Sequence, residues 1–259
     1  MMSASHNSTA PQAIILAAGK GKRMGGDRAK VLFEVADRPM INWVVDACHD
    51  AGVARCVIVV GYQGALVHEV LAGSPQCVFV EQTEQLGTGH ATAMAQPLFA
   101  GEPCDVFVLA GDGPLIRAST LQTLLARHRD SRAAATLATA IIDDPQGYGR
   151  VMRGTDGGFD RIVEQKDATA EQLEVREVNP SYYCFTSDAL FDSLSRIDNH
   201  NQQGEYYLTD VPGLLKTQGR VISVVDAVPP EDVLSINTPE QLAEVDRILR
   251  ARIKGEVLS

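Results

Sequence analysis

Two hydrophobic periods alternate along the first half of the chain. The run AIILA from Ala13 to Ala17 is continuously apolar and leads directly into a Gly-rich segment, which predicts a buried strand. Pro39 then opens a stretch in which Ile41, Val44, Val45 and Cys48 recur at helical spacing, so an amphipathic helix is expected there. The pair of signals repeats. Strands are expected at Cys56 to Val60, Val78 to Val80 and Val106 to Leu109, with helices near Gln63 to Leu71 and Gly89 to Leu98. Strand and helix in alternation imply parallel βαβ units, hence an α/β, doubly wound, mostly parallel sheet.

After about residue 130 the pattern turns strand-rich, with segments at Ala134 to Ile142, Gly149 to Met152, Arg161 to Val163 and Tyr182 to Phe185 separated by Gly- and Asp-rich turns. This half is expected to form the second wall of a cleft. A helix follows near Tyr206 to Thr217 and a strand at Val221 to Val225. The last helix starts with Thr238 as N-cap, Pro239 at its first position and Gln241 three residues after the cap, the pattern of a capping box. No internal repeat or Pro/Ser linker marks a second independent unit. The expected division is a disordered tail over 1–12 and a single domain over 13–255, made of parts at about 13–130 and 131–237 and a closing helix at about 239–254.

Composition narrows the class. A chain of 259 residues, 45% of them apolar, can bury a sizeable core. The polar, Ser- and Asn-containing start lacks the apolar core of a signal peptide, and no stretch approaches the roughly 18 apolar residues of a membrane span. The cysteines Cys48, Cys56, Cys77, Cys104 and Cys184 are odd in number and form no C-x-x-C pair, which argues against both a zinc site and a disulfide framework. These features together predict a soluble cytoplasmic protein. The net charge of −10 opposes general binding to nucleic acid or an anionic membrane. Against that background Lys20, Lys22, Arg23, Arg28 and Lys30, with only Asp27 among them, form a basic island suited to a small anion.

That island lies on the loop LAAGKGKRM, Leu16 to Met24, at the carboxyl end of the first predicted strand, where an open α/β sheet places its ligand crevice. Ala17, Ala18, Gly19 and Gly21 are small enough for backbone N–H groups to approach phosphate oxygens. The loop is not a Walker A motif, and Met24 stands where a dinucleotide fingerprint needs its third Gly. A Gly-x-Gly turn alone is equally compatible with a plain tight turn. The six histidines show no ligand spacing, so His90, beside the GTG segment, is read with the rest as a packing or surface residue, and Trp43 as core.

Followed by Ala29-Lys30-Val31-Leu32, this loop resembles the signature of the sugar-nucleotide pyrophosphorylases. QLGTGHA (Gln85 to Ala91), GDGPL (Gly111 to Leu115), GYGR (Gly147 to Arg150), VEQKDA (Val163 to Ala168) and QGEYYLTD (Gln203 to Asp210) continue the match in order. Together they are similar to the uridyltransferase domain of the bacterial bifunctional N-acetylglucosamine-1-phosphate uridyltransferase and glucosamine-1-phosphate acetyltransferase, from about Ala13 to Leu242. The resemblance implies a Rossmann-like nucleotidyltransferase fold with a β-rich, sugar-binding lobe. It also implies that UTP and N-acetyl-α-D-glucosamine 1-phosphate are joined with release of pyrophosphate.

Carried over residue by residue, the resemblance puts Leu16, Ala17, Ala18, Gly19 and Gly111 against the nucleotide, Arg23 on the triphosphate, and Lys30 on phosphates near the reacting centre. Asp112 and Asn237 would bind Mg²⁺, which commonly takes one or two protein oxygens and fills the remainder with phosphates and water. Read without the resemblance, Asp112 is a turn residue before Gly113-Pro114 and Asn237 the residue ahead of a helix cap. Gln82, Gly87 and Thr88 would face the base, Gln82 offering both donor and acceptor to the imide edge of uracil. Gly149, Glu164 and Asn179 would face the sugar. The chemistry implied is attack of a sugar-phosphate oxygen on the α-phosphorus, which requires cations to hold two anions in line and neither a protein nucleophile nor a general base.

The chain departs from the pattern in three places. Relatives read Asn-Thr-Gly where it has Asn179-Pro180-Ser181; Pro180 has no N–H and Ser181 lacks the φ freedom of Gly, so a different backbone path is expected around the sugar. Lys22 replaces a common Thr. The relatives continue into a β-helix acetyltransferase half with trimer contacts, and that half is not expected here. Three other readings stay open at this level: the same chemistry on glucose 1-phosphate or another sugar 1-phosphate, a non-catalytic nucleotide-sugar-binding regulator, and a dehydrogenase.

Overall fold

A computed structural model describes residues 10–21, 24, 27–101, 103–226 and 228–255. In chain order the elements are β1 (Gln12–Ala17), β2 (Glu34–Val35), β3 (Arg38–Pro39), α1 (Met40–Asp50), β4 (Arg55–Val60), α2 (Gly64–Val70), β5 (Cys77–Glu81), α3 (Thr88–Ala93) and β6 (Asp105–Ala110). These are followed by α4 (Ala118–Ser131), β7 (Ala135–Ala138), β8 (Ala140–Ile141), β9 (Gly149–Arg153), β10 (Phe159–Val163), α5 (Ala170–Leu173) and β11 (Glu177–Asn179). The chain closes with β12 (Tyr182–Thr186), α6 (Ser187–Leu194), α7 (Asp210–Thr217), β13 (Ile222–Val225) and α8 (Pro239–Lys254). Most of the expected tail lies outside the described residues, and β1 already begins at Gln12.

The main sheet has seven strands in the order β13-β7-β12-β6-β1-β4-β5. All neighbours run parallel except β12, which is antiparallel to both β6 and β7. It is the doubly wound, mostly parallel sheet expected. Its strands read as unbroken apolar runs because both faces are covered. Ala13, Ile15 and Ala17 join one buried cluster with Ile58, Phe107, Leu109 and Tyr182. Ile14 turns to the opposite cluster with Val57, Val59, Val108 and Tyr183. From β1 the chain moves outward to β4 and β5, then returns across β1 to β6. The order therefore reverses between β1 and β6, and the carboxyl ends of these two strands open a crevice there.

A second sheet, β10-β9-β11-β8, is antiparallel and stands over that crevice. The predicted single strand from Ala134 to Ile142 is in fact split: β7 belongs to the main sheet and β8 to the smaller one, with Thr139 at the crossing. The helix expected over Gly89 to Leu98 stops at Ala93 and gives way to a 3₁₀ turn over Gln96–Phe99. Pro97 lacks the N–H and its ring would crowd the carbonyl one turn back. The helix expected from Tyr206 begins instead at Asp210, because the preceding backbone is used elsewhere: Tyr206 N donates to Leu86 O and Tyr206 O accepts from Gly89 N, both at 2.8 Å. Helix α4 carries no clear apolar period since its buried face includes Thr120 and His128 beside Leu121 and Leu124.

The third cluster explains how α8 is held. Met24, Val35, Met40, Leu115, Ile236, Val245, Ile248 and Leu249 pack together, joining the phosphate-loop segment, the GDGPL turn and the closing helix. Met24, at the position of a fingerprint glycine, is a buried anchor.

Candidate active site

The Gly-rich segment after β1 leaves the sheet and returns as a lasso. Lys30 N donates to Gly19 O (3.2 Å), and Lys20 and Ala29 form an antiparallel bridge. Gln63 pins the far side, accepting from Ala29 N at 2.8 Å and donating to Asp27 O at 2.7 Å. The two glycines do different work. A Cβ on Gly21 would strike the Phe33 ring at 2.8 Å, whereas one on Gly19 would meet nothing within 4 Å. Gly21 is thus needed for packing, and Gly19 keeps the ligand side open.

Between this lasso and the smaller sheet lies a cleft of about 450 Å³. Leu16, Ala18, Gly19, Lys30, Gln82, Gly87, Thr88, Asp112, Gly149, Glu164, Asn179 and Asn237 all line it. Two of the expected nucleotide residues do not. Ala17 points into the core, because successive strand residues face opposite sides. Gly111 sits behind the floor, where its N–H donates to Leu16 O (2.9 Å) and a Cβ would collide with that same oxygen. Arg23 and Lys22 lie outside the described residues. Lys20 is turned away from the cleft, its ammonium 4.6 Å from the Tyr62 ring centroid. Of the described members of the basic island, only Lys30 reaches the cleft wall.

Lys30 joins residues far apart in sequence. Its Nζ donates to Asp112 Oδ2 and, at 2.7 Å, to Asn237 Oδ1. Asp112 follows β6 and Asn237 precedes α8. Three devices bring them together. Leu115 and Ile236, both fully buried, share the third apolar cluster, and Ile236 N lies 3.4 Å from Asp112 O. The buried Asp232 carboxylate takes Arg117 from the start of α4 and Arg252 from α8, and its backbone oxygen accepts from Tyr182 Oη at 3.1 Å. The capping residues supply the third. Thr238 Oγ1 accepts from Gln241 N (3.3 Å), but the Gln241 side chain reaches past the cap and accepts from Asn237 N at 2.7 Å. The expected capping box is therefore shifted by one residue, and the helix start itself fixes Asn237.

Two hard oxygens, one anionic and one neutral, converge on a single cation position, here marked by the Lys30 ammonium. That donor set fits Mg²⁺, which needs few protein oxygens. Among the described residues no cluster of three or more His, Cys, Asp or Glu suited to a metal occurs.

On the base side, Gln82 is buried, following β5 with its N–H on Val60 O (2.7 Å). Gly87 takes φ +108°, and a Cβ there would lie 2.5 Å from Tyr206 O. The glycine is required first by the protein's own 205–206 backbone. Thr88 Oγ1 accepts from Leu208 N (3.0 Å), so the QGEYYLTD segment buttresses the GTG loop. Thr88 also begins α3, and the loop both starts a helix and lines the cleft.

On the opposite wall, Glu164 Oε1 accepts from Thr209 Oγ1 at 2.9 Å. Burial, with smaller contributions from Asp167 and Glu205, raises its pKa, against the lowering effect of the Thr209 bond. Asn179 Nδ2 donates to Tyr183 Oη (2.6 Å) while Oδ1 accepts from Ser181 N (3.2 Å). Ser181 adopts φ +63°. Although it is not glycine, the serine takes a left-handed conformation that suits glycine, held by the Asn179 side chain. Sequence reasoning did not single out Tyr148, Tyr183, Glu205, Thr209 or Ser235, which also line the cleft. Glu205 and Thr209 were signalled by the QGEYYLTD string.

A switch-point crevice with a Gly-rich lasso, one lysine and a pair of hard oxygens is the arrangement of a nucleotidyltransferase. The profile of the MobA-like NTP transferase domain matches residues 13–209, and the chain belongs to that family. It is 46% identical over 246 residues to bifunctional protein GlmU of Geobacter metallireducens, covering 95% of this chain and 52% of that protein. Bifunctional protein GlmU of Geobacillus thermodenitrificans is 44% identical over 241 residues, with 93% of this chain and 52% of the relative covered. The chain spans about half the length of these curated relatives. Among solved structures, UDP-glucose pyrophosphorylase complexed with UDP-glucose shares the fold, with a TM-score of 0.76 at 18% identity over 94% of this chain and 100% of that one.

Proposed function

We propose that the chain transfers the uridylyl group of UTP to N-acetyl-α-D-glucosamine 1-phosphate, giving UDP-N-acetylglucosamine and pyrophosphate, with Mg²⁺ as cofactor and in the cytoplasm. The observation that carries this reading is the meeting of Lys30, Asp112 and Asn237 on the cleft wall. It supplies cationic and metal-binding chemistry between a nucleotide wall (Gly19, Gln82, Thr88) and a sugar wall (Gly149, Glu164, Asn179). The likeness to GlmU proteins supports the sugar assignment. Among the described residues no helix is long and apolar enough to cross a membrane, and the cysteines are free.

In this reading Glu164 and Asn179 orient the sugar so that a phosphate oxygen approaches the α-phosphorus in line with the leaving pyrophosphate. Lys30 exchanges its carboxylate partner for the phosphates and offsets the charge that develops in the transition state. Asp112 and Asn237 would hold Mg²⁺, which supplies further neutralisation and aligns the phosphate oxygens. No general base is needed, since the attacking phosphate is already ionised near neutral pH.

Pyrophosphate release measured with UTP, CTP, ATP and GTP against N-acetylglucosamine 1-phosphate, glucose 1-phosphate and galactose 1-phosphate tests the assignment. Turnover with another triphosphate but none with UTP overturns it. Asp112→Ala should lower kcat by at least about 10²-fold, the scale of losing one electrostatic stabiliser, while metal-free UTP binding survives. Wild-type activity in that variant would refute the metal role.

A further inference from the structure

The amide of Gln82 offers the nucleotide less than its chemistry allows. Its nitrogen, Nε2, donates to Gly87 O at 3.2 Å and lies 3.0 Å from His90 Nδ1. A backbone carbonyl only accepts, so the atom facing Gly87 O must be the nitrogen. That nitrogen carries two hydrogens; Gly87 O takes one and His90 Nδ1 the other. The imidazole therefore accepts at Nδ1, and the neutral ring carries its proton on Nε2. Among the described residues, Gln82 Oε1 accepts no hydrogen bond, and Gln82 lines the cleft. Both donors are spent inside the protein and one acceptor is left for a ligand.

We propose that His90 is a positioning residue for base selection: with Gly87 O it holds both amide hydrogens of Gln82, leaving only the amide oxygen to read the nucleotide. This rests on the uridyl-transfer reading and sharpens it. An imide base such as uracil presents an N–H to that oxygen. Cytosine, of the same size, presents a ring-nitrogen lone pair at the same position, and two acceptors would face each other. Without the His90 acceptor the amide loses one of the two bonds that fix its orientation, and it can turn to present its nitrogen instead. The partner is the third residue of α3, so the same short helix that follows the GTG loop sets the polarity of the base reader.

The test is kcat/KM for UTP and for CTP, each with N-acetylglucosamine 1-phosphate, in the full chain and its variants. His90→Leu should lower the UTP-to-CTP preference by about 10-fold or more, the scale of a mispaired buried polar group, with the loss falling on KM for UTP rather than on kcat. His90→Asn places an amide oxygen close to the original Nδ1 and should restore most of the preference. In a Gln82→Leu background, His90→Leu should change nothing further. An unaltered preference in His90→Leu overturns the proposal, as does an equal loss in His90→Asn and His90→Leu. Should His90→Leu fail to fold, ¹⁵N spectra of the labelled wild-type chain decide: an unprotonated Nδ1 is expected, and a protonated Nδ1 refutes the role. A wild-type enzyme that shows no preference for UTP over CTP would instead sink the uridyl-transfer reading itself, whereas a UTP-selective enzyme indifferent to His90 sinks only the positioning role.

Discussion

Replacing Asp232 by Ala probes the device that brings the proposed metal ligands together. The carboxylate is 1% exposed, and it accepts from Arg117 Nε and Nη2 and from Arg252 Nη2. Removing one member of a fully buried ion pair costs about 3–5 kcal/mol, mostly because the other charge is stranded. Here the arginine side chains keep 38% and 27% of their surface exposed, so water can recover part of the loss. Arg252 also retains its bond from Nη1 to Leu115 O at 2.9 Å, and Tyr182 keeps its bond to the backbone oxygen. A cost of about 2–3 kcal/mol is therefore expected. At about 2–4 °C per kcal/mol for a chain near this size, Tm falls by about 4–12 °C, to be read by circular dichroism. Because the segment after Asp232 leads directly to Ser235 and Asn237, Mg²⁺ affinity measured by calorimetry with UTP present should weaken as well. Arg117→Ala and Arg252→Ala should each cost less than Asp232→Ala, since each leaves Asp232 one partner. A Tm within about 2 °C of wild type would refute the argument that this carboxylate joins α4, α8 and the site.

Two further predictions concern the sugar wall. Ser181→Gly relieves a left-handed residue at a strain of about 1–2 kcal/mol, offset in part by the greater freedom of Gly in the unfolded chain; a net gain of about 0.5–1 kcal/mol in denaturant unfolding is expected, with the KM for sugar phosphate little changed, and a loss of stability would show that Ser181 is not strained. Glu164, with its pKa raised by burial, should lose its ionised, accepting form as pH falls through a range above that of an ordinary glutamate. The KM for sugar phosphate should rise there while the KM for UTP does not, and Glu164→Gln should abolish that difference. The linked stability effect has the opposite sense. Since the folded protein binds this proton more tightly than the unfolded chain, its contribution is greatest below the ordinary glutamate range and is lost as pH rises through the folded value, so Glu164→Gln should stabilise at neutral pH but not at low pH. A variant of unchanged neutral-pH stability would contradict the burial argument.

Strand-forming runs such as CVIVV and VFVL, and the helical period of α1, were legible because burial on both faces of a sheet, or on one stripe of a helix, writes itself into consecutive residues. Helix α4 was not, because polar Thr120 and His128 occupy its inner face, where His128 Nδ1 lies 3.0 Å from Thr136 Oγ1. The motifs named the candidate site almost residue for residue, yet they could not assign work within it. Gly19 and Gly21 look alike in LAAGKGKRM, and only the neighbouring Phe33 ring distinguishes the open glycine from the packed one.

By itself, then, the sequence determined the α/β class, the phosphate loop at the end of the first strand and the family resemblance, all of which depend on local period and contiguous strings. The tertiary structure decided what depends on long-range contact. It joined Lys30 to Asp112 and Asn237, turned Lys20 away to Tyr62, and kept Ser181 on a glycine path through the Asn179 side chain. It also spent both donors of Gln82 on Gly87 and His90. Hydrogen-bond partners and buried charges are satisfied by whichever groups the fold brings within about 3 Å, and no spacing along the chain records that distance.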